Sequence, residues 1–143
     1  MKTVIQRVNY CKVVVAEKVV SSINKGILIL IGIEKSDTFD MVNRYSEKIL
    51  KLGIFKNSNG KLGRTILEEK CDIMIISQIT LIANLNKGKK PDFSNSATVD
   101  DAKRLYSHFV DIFKETGLNV KTGEFGEYMK VELENDGPVT FII

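Results

Sequence analysis

"KGILILIGIE" occupies residues 25–34 and is an unbroken apolar run between Lys25 and Glu34. Its length and lack of alternation predict a central, buried strand. "CDIMIISQITLIAN", residues 71–84, predicts a second long buried strand. Two such strands call for a sheet, and the segments around them supply its other members. Residues 2–8 and 12–20 are rich in Val and Ile and predict two further strands. "GIFKNSNGKLG" (53–63) predicts a strand entering an Asn-Gly turn. "NVKTGEFGEYMKVELEN" (119–135) predicts a strand, a glycine turn and a second strand. In that second strand Met129, Val131 and Leu133 alternate with Lys130, Glu132 and Glu134, the period-two signature of a sheet with one wet face.

Two helices complete the pattern. Asp37 is the expected cap of the first, in which Met41, Val42, Tyr45, Ile49 and Leu52 recur at helical spacing before Gly53 stops it. Thr98 with Asp101 resembles a capping box for the second, whose apolar face is Ala102, Leu105, Tyr106, Phe109, Val110 and Phe113, with Gly117 at its end. Strands and helices do not alternate regularly. The expected fold is therefore α+β: a strongly curved, barrel-like mixed β-sheet with two helices packed on it.

The chain has 143 residues, 43% apolar and 27% charged, which suits one globular domain with a real core. No signal peptide is expected ahead of the first strand, and the longest apolar stretch, "GILILIGI", is far too short to span a membrane. Cys11 and Cys71 form no disulfide framework and are expected as buried thiols in a reducing cytoplasm. The net charge of +3 permits an RNA or phosphate partner without demanding one.

Much familiar chemistry is missing. The single histidine, His108, falls on the flank of the second helix, away from the centre of its apolar face. A Ser-His-Asp or Cys-His arrangement is thus disfavoured, and histidine-rich zinc sites are excluded by count. Three stretches remain. "SQITL" (77–81) places Ser77, Gln78 and Thr80 where a strand asks for Val or Ile. It reads either as a strand end facing water or as a pocket floor offering hydroxyls, an amide and backbone N–H groups. "NKGKKPDF" (86–93) carries Lys87, Lys89 and Lys90, either a solvated loop or a contact to a phosphate backbone. "NDGPVT" (135–140) sets a Gly-Pro step, with one of only two prolines, among strand-like residues. Glycine there allows unusual φ and ψ, a candidate for backbone held in a special geometry.

Taken together, "SQITL" and "NDGPVT" resemble the two signatures of the D-aminoacyl-tRNA deacylases of the common bacterial and eukaryotic type. "GIEKSDT", "SEKIL", "KGKKPDF" and "TGEFGEYMKV" are also similar to that family, and the likeness runs from "VIQRV" at residues 4–8 to the last strand. The resemblance implies one deacylase-like domain over residues 1–143. It implies hydrolysis of the ester between a D-amino acid and the terminal ribose of tRNA, with mischarged glycyl-tRNA as a further substrate, as a proofreading step of translation. It implies a cytoplasmic homodimer acting on aminoacylated tRNA, with no cofactor, no metal, no membrane and no DNA partner. Ser77, Gln78, Ile79 and Thr80 are the implied catalytic segment. Backbone N–H groups near Gln78 and Ile79 would hold the oxyanion, and Thr80 would position rather than attack. Gly137, Pro138 and Val139, with a cis Gly-Pro bond, would enter the partner's pocket, where Met129 and Phe125 bind substrate and Arg7 holds the motif. Lys87, Lys89 and Lys90 would meet the tRNA.

The sequence departs from the family pattern at named positions. Ile79 replaces a phenylalanine, Gly53 stands where arginine is usual, "GKLGRT" (60–65) differs from the usual turn, and lysines replace arginines in the basic loop. Two other readings follow: a deacylase shifted towards achiral or L-aminoacyl substrates, and a catalytically weak tRNA-binding dimer.

Overall fold

In the computed structural model, which describes residues 1–86 and 88–143, the chain runs β1 (Lys2–Val15), β2 (Lys18–Ile23), β3 (Gly26–Gly32), α1 (Phe39–Leu50), β4 (Phe55–Lys56), β5 (Leu62–Arg64), α2 (Ile66–Glu69), β6 (Asp72–Ser77), a 3-10 turn (Ile79–Ile82), α3 (Val99–Lys114), β7 (Val120–Thr122) and β8 (Lys130–Ile142). The two apolar runs that open the sequence reading lie side by side. β3 and β6 pair in parallel from Gly26 opposite Asp72 to Ile31 opposite Ser77.

β1 then joins the sheet together. Its first half pairs antiparallel with β3, its second half with β2, and its other edge with β8. Alternation along the strands makes two cores. Ile5, Ile27, Ile29, Ile31, Ile73 and Ile75 face Phe109, Phe113, Val42 and Ile49 of the helices. On the opposite face Val8, Cys11, Val13, Ile23, Leu28, Met74 and Ile76 form one cluster, with Val131 and Leu133 packed on it. Five strands can share one cluster only if the sheet curls. Ser21 Oγ, on β2, donates to the Thr122 carbonyl of β7 at 2.7 Å and brings the far edges together. Each fully buried Ile adds roughly 1.5–3 kcal/mol of burial free energy, so the curl is held mainly by its lining. The α+β, barrel-like mixed sheet is as expected.

Several elements differ from expectation. Residues 2–15 form one strand rather than two, because Tyr10 and Cys11 pair with Glu134 and Leu133 and carry the ladder through the polar interruption. The turn comes later, at Ala16 and Glu17, both with positive φ. The cap of α1 is Thr38, whose hydroxyl accepts from Met41 N–H at 3.3 Å. Asp37 instead accepts from the backbone N–H of Glu34 and from the Met1 ammonium, both at 2.7 Å. α1 ends at Leu50, ahead of Gly53.

A third, short helix, α2, went unread in the sequence. It carries a complete capping box: Glu68 N–H donates to Thr65 Oγ1, and Thr65 N–H donates to the Glu68 carboxylate. At α3 only half of that motif forms. Thr98 Oγ1 accepts from Asp101 N–H at 3.2 Å and donates to the Asp101 carboxylate at 2.9 Å. The expected strand over 71–84 stops at Ser77, and "ITLI" winds into the 3-10 turn. β8 passes straight through Pro138, with the ladder to β1 slipping register between Val8 and Gln6.

Candidate active site

The slip from strand to 3-10 turn at Ser77–Ile79 builds the site. Gly32 lets the turn approach β3, since a Cβ there would lie 2.8 Å from Ile82 Cδ1 and 3.0 Å from the Gln78 carbonyl. Gln78 N–H still belongs to the sheet, donating to the Ile31 carbonyl at 2.8 Å. That removes it as an oxyanion donor and corrects the expectation drawn from the sequence. The turn's own bonds start later, from Leu81 N–H to the Gln78 carbonyl. Ile79 and Thr80 N–H therefore have no hydrogen-bond partner among the described residues, as befits the open start of a helical turn.

Ile79 lines a cavity of about 390 Å³, while Thr80, next in the turn, is not part of its lining. Ser77, Gln78 and Ile79 line one side, Phe125 and Met129 another, so five of the predicted residues do come together. The Ile79 side chain is 55% exposed. Tyr106 is buried, donates its hydroxyl to the Ile75 carbonyl at 2.8 Å and lies against Phe125, ring centroids 5.6 Å apart. Burial pushes its phenol well above the usual range, so it is a neutral support for Phe125 and no acid or base. Thr80 Oγ1 accepts a hydrogen bond from Gln78 Nε2. Among the described residues no titratable side chain lines the cavity except Glu127 and Tyr128, both exposed. His108 is elsewhere, half-buried, paired with Asn43 Oδ1 and edge-on to Phe39.

Arg7, Gly137, Pro138 and Val139 form a second group that does not line this cavity. Arg7 is only 4% exposed. Its Nη1 donates to the Ile54 carbonyl at 2.8 Å, and its Nε meets the Asp136 carbonyl at 3.2 Å and carboxylate at 2.9 Å. Thus anchored, Asp136 presents Gly137 and Pro138 on the surface, joined by a cis bond. Gly137 has φ +129°, and a Cβ on it would lie 2.9 Å from Val139 Cγ2. Only glycine suits that backbone.

In the basic segment Lys89 and Lys90 are exposed, on a loop whose base is closed by the Asn84–Asp92 bridge; Lys87 lies outside the described residues. Sequence reasoning missed Ser96, Ala97 and Tyr128 of the cavity wall. Nothing local in the sequence marks Ser96 and Ala97, which meet the turn only in three dimensions, whereas Tyr128 directly precedes the expected Met129.

Residues 4–143 match the family model described as D-Tyr-tRNA(Tyr) deacylase. A protein of Thermosipho melanesiensis named D-aminoacyl-tRNA deacylase is 46% identical, covering 100% of this chain and 96% of its own. One of that name from Aquifex aeolicus is also 46% identical, with 100% and 97% covered. The solved structure titled c-Myc DNA Unwinding Element Binding Protein superposes with a TM-score of 0.93 at 36% identity, covering 100% of this chain and 97% of that one. A structure described as a probable eukaryotic D-amino acid tRNA deacylase shares the fold, with a TM-score of 0.86, 18% identity and coverage of 99% and 97%. With the turn, the cavity and the Gly-Pro step all placed, and a family match over nearly every residue, the chain belongs to the D-Tyr-tRNA(Tyr) deacylase family.

Proposed function

We propose that residues 1–143 act as one deacylase domain that hydrolyses D-aminoacyl-tRNA at the Ile79–Thr80 turn. Water attacks the ester carbonyl, the ester C–O bond breaks, and the terminal ribose oxygen leaves with a proton. The observation that carries this reading is the unpartnered N–H of Ile79 at the cavity, with that of Thr80 next to it, where the only titratable side chains among the described residues are the exposed Glu127 and Tyr128. Such a site can stabilise a developing oxyanion, worth roughly 2.7–4 kcal/mol per donor, and little else. An aminoacyl ester is activated enough to need little else, and the vicinal ribose hydroxyl can orient the water. Thr80 positions Gln78 and does not attack, since no base adjoins it.

The Gly-Pro step selects the substrate from a second subunit. Gly137 and Pro138 are exposed and stand apart from their own chain's cavity. Among the described residues β8 pairs only with β1, which leaves its outer edge open, and Ile142 on it is 77% exposed. A homodimer covers these groups and brings the step to the partner's cavity. There the rigid backbone crowds an L side chain and spares a D one or glycine, so mischarged glycyl-tRNA is a substrate too. Lys87, Lys89 and Lys90 meet tRNA phosphates, DNA is not a partner, and the setting is cytoplasmic. No helix among the described residues is long and apolar enough to cross a membrane.

The deciding experiment compares hydrolysis of D-Tyr-tRNA, L-Tyr-tRNA and Gly-tRNA. Release from the D and glycyl esters with the L ester spared is the expected result. Equal cleavage of the L ester would replace chiral selection with a broader deacylase, and no cleavage would leave a tRNA-binding dimer.

A further inference from the structure

Beside the Gly-Pro step lies a second, polar pocket of about 180 Å³, on a different set of residues from the cavity. Four cations line it, Arg7, Lys25, Lys56 and Arg64, against two carboxylates, Glu69 and Asp136. The carboxylates are already engaged. Glu69 takes Lys25 and Arg64, each at 3.0 Å, and Asp136 takes Arg7 Nε at 2.9 Å. Two positive charges are left over. Lys56 has no hydrogen-bond or ion-pair partner among the described residues, and neither has Arg7 Nη2.

That last group is the telling one. Arg7 lines the pocket and is only 4% exposed, yet its Nη2 has no partner among the described residues and stands beside the Gly-Pro step, 3.3 Å from where a Cβ on Gly137 would lie. The other arm and Nε are fixed by the Ile54 carbonyl and by Asp136, so the free N–H groups are held in one direction. Phe55 supports the charges from beneath, with its ring centroid 5.9 Å from Arg7 Cζ and 5.7 Å from Lys25 Nζ. A fixed guanidinium with an unpartnered, exposed lysine in the same pocket suits phosphodiester oxygens.

We infer that this pocket is a phosphate site that binds a backbone phosphodiester of the tRNA held by the Gly-Pro step. The inference rests on the reading that the chain acts on tRNA. Asp136 lines the pocket and is covalently next to Gly137, so the pocket accompanies the step to whichever cavity it enters. A phosphate bound there ties the RNA strand to the same buried arginine that fixes the step. RNA capture and substrate selection then share one anchor.

Lys56→Glu is the informative variant, because Lys56 is exposed and without a partner; Lys56→Arg is its control. Two substrates are compared: D-Tyr-tRNA, and D-tyrosyl-adenosine, which has the same ester and no phosphodiester. The expected result is a KM for D-Tyr-tRNA raised about tenfold with kcat within about twofold, as for loss of a phosphate contact. The KM for D-tyrosyl-adenosine changes far less, and Lys56→Arg restores the tRNA value. Equal losses on both substrates, or none on tRNA, would overturn the phosphate site.

Binding of uncharged tRNA, measured by fluorescence anisotropy against salt, makes the test independent of catalysis. The slope of log K against log salt shrinks by about 0.7–0.9 in Lys56→Glu for each phosphate lost. An unchanged slope would refute the site even in an active enzyme. A wild type that binds with the steeper slope but cleaves neither ester would refute the deacylase reading and leave the phosphate site supported.

Discussion

Arg7 holds Asp136 twice over, its Nε lying 3.2 Å from the main-chain carbonyl and 2.9 Å from the carboxylate. With the bond to the Ile54 carbonyl, one buried guanidinium joins the β1, β4 and β8 regions at the residue preceding the Gly-Pro step. An ammonium cannot reach all three acceptors from one point. Arg7→Lys is therefore expected to lose about 1–3 kcal/mol of stability through unpaired buried acceptors, and kcat/KM for D-Tyr-tRNA is expected to fall at least about tenfold. Thermal melting and a deacylation time course check both; wild-type values in each would show that Arg7 does not set the step.

Gly137→Ala acts on the step itself. Its φ of +129° is foreign to alanine, and the new methyl would press on Val139 at 2.9 Å. The residue is exposed, so the backbone there can shift without emptying the core. We expect a loss of about a hundredfold in kcat/KM, in line with what a misplacement of about 1 Å costs, and a melting temperature within a few degrees of wild type. A fully active variant would remove the step from substrate selection.

Ile79→Pro deletes one of the two open N–H groups at the first position of a helical turn, where proline is tolerated. The expected cost is about 10²–10³ in kcat. Mixed with the Gly137→Ala chain after joint unfolding and refolding, it should regain activity. A random mixture of dimers holds about half heterodimers, each with one sound site, or about a quarter of wild-type activity. No regain at all would show that cavity and step work within one chain.

Thr80→Ala should keep most of its activity, losing only the contact to Gln78 Nε2. Mass spectrometry of the quenched wild-type enzyme is the complementary check. An aminoacyl adduct on Thr80 would establish it as a nucleophile.

Burial pushes the Cys11 thiol up to about 11 and that of Cys71 up to about 12. Both are neutral and shielded at pH 8, so native protein should react with a thiol reagent only as fast as it opens. The sign of the linkage follows. Folding raises both values, so the folded chain holds its protons more tightly than the unfolded one, whose thiols titrate near 9. This contribution to stability is present below pH 9 and lost as pH climbs towards 11. Denaturation midpoints across pH 7–11 test it, with Cys11→Ala expected to lessen the fall.

How far the sequence can be read here depends on the range of the interaction. The β3–β6 core was legible because unbroken Ile and Leu runs have few other uses. The cap of α1 falls one residue beyond the expected Asp37, because Asp37 and Thr38 are both good capping residues. The choice depends on Asp37 being drawn to Met1 and Glu34, partners across the fold. The break in "CDIMIISQITLIAN" shows in the sequence as polar residues at 77, 78 and 80. That Gln78 N–H remains in the sheet while Ile79 and Thr80 N–H do not depends on where Ile31 ends its pairing, which no local pattern encodes. The pocket around Arg7 was invisible for the same reason. Its residues come from five separate segments, and "GKLGRT" looked only like an unusual turn.

The open amides of Ile79 and Thr80 have a consequence for how the reaction answers to acidity. Main-chain N–H groups do not titrate in water's ordinary range, and no histidine stands near them to do so instead. A catalyst made this way has no protonation state to lose. Between about pH 6 and 9, where histidine enzymes switch on or off, the bend in kcat should follow the substrate's own α-amino group and the supply of hydroxide. Proofreading by such a surface would keep pace with the spontaneous chemistry of the ester it removes, whatever the acidity of its surroundings.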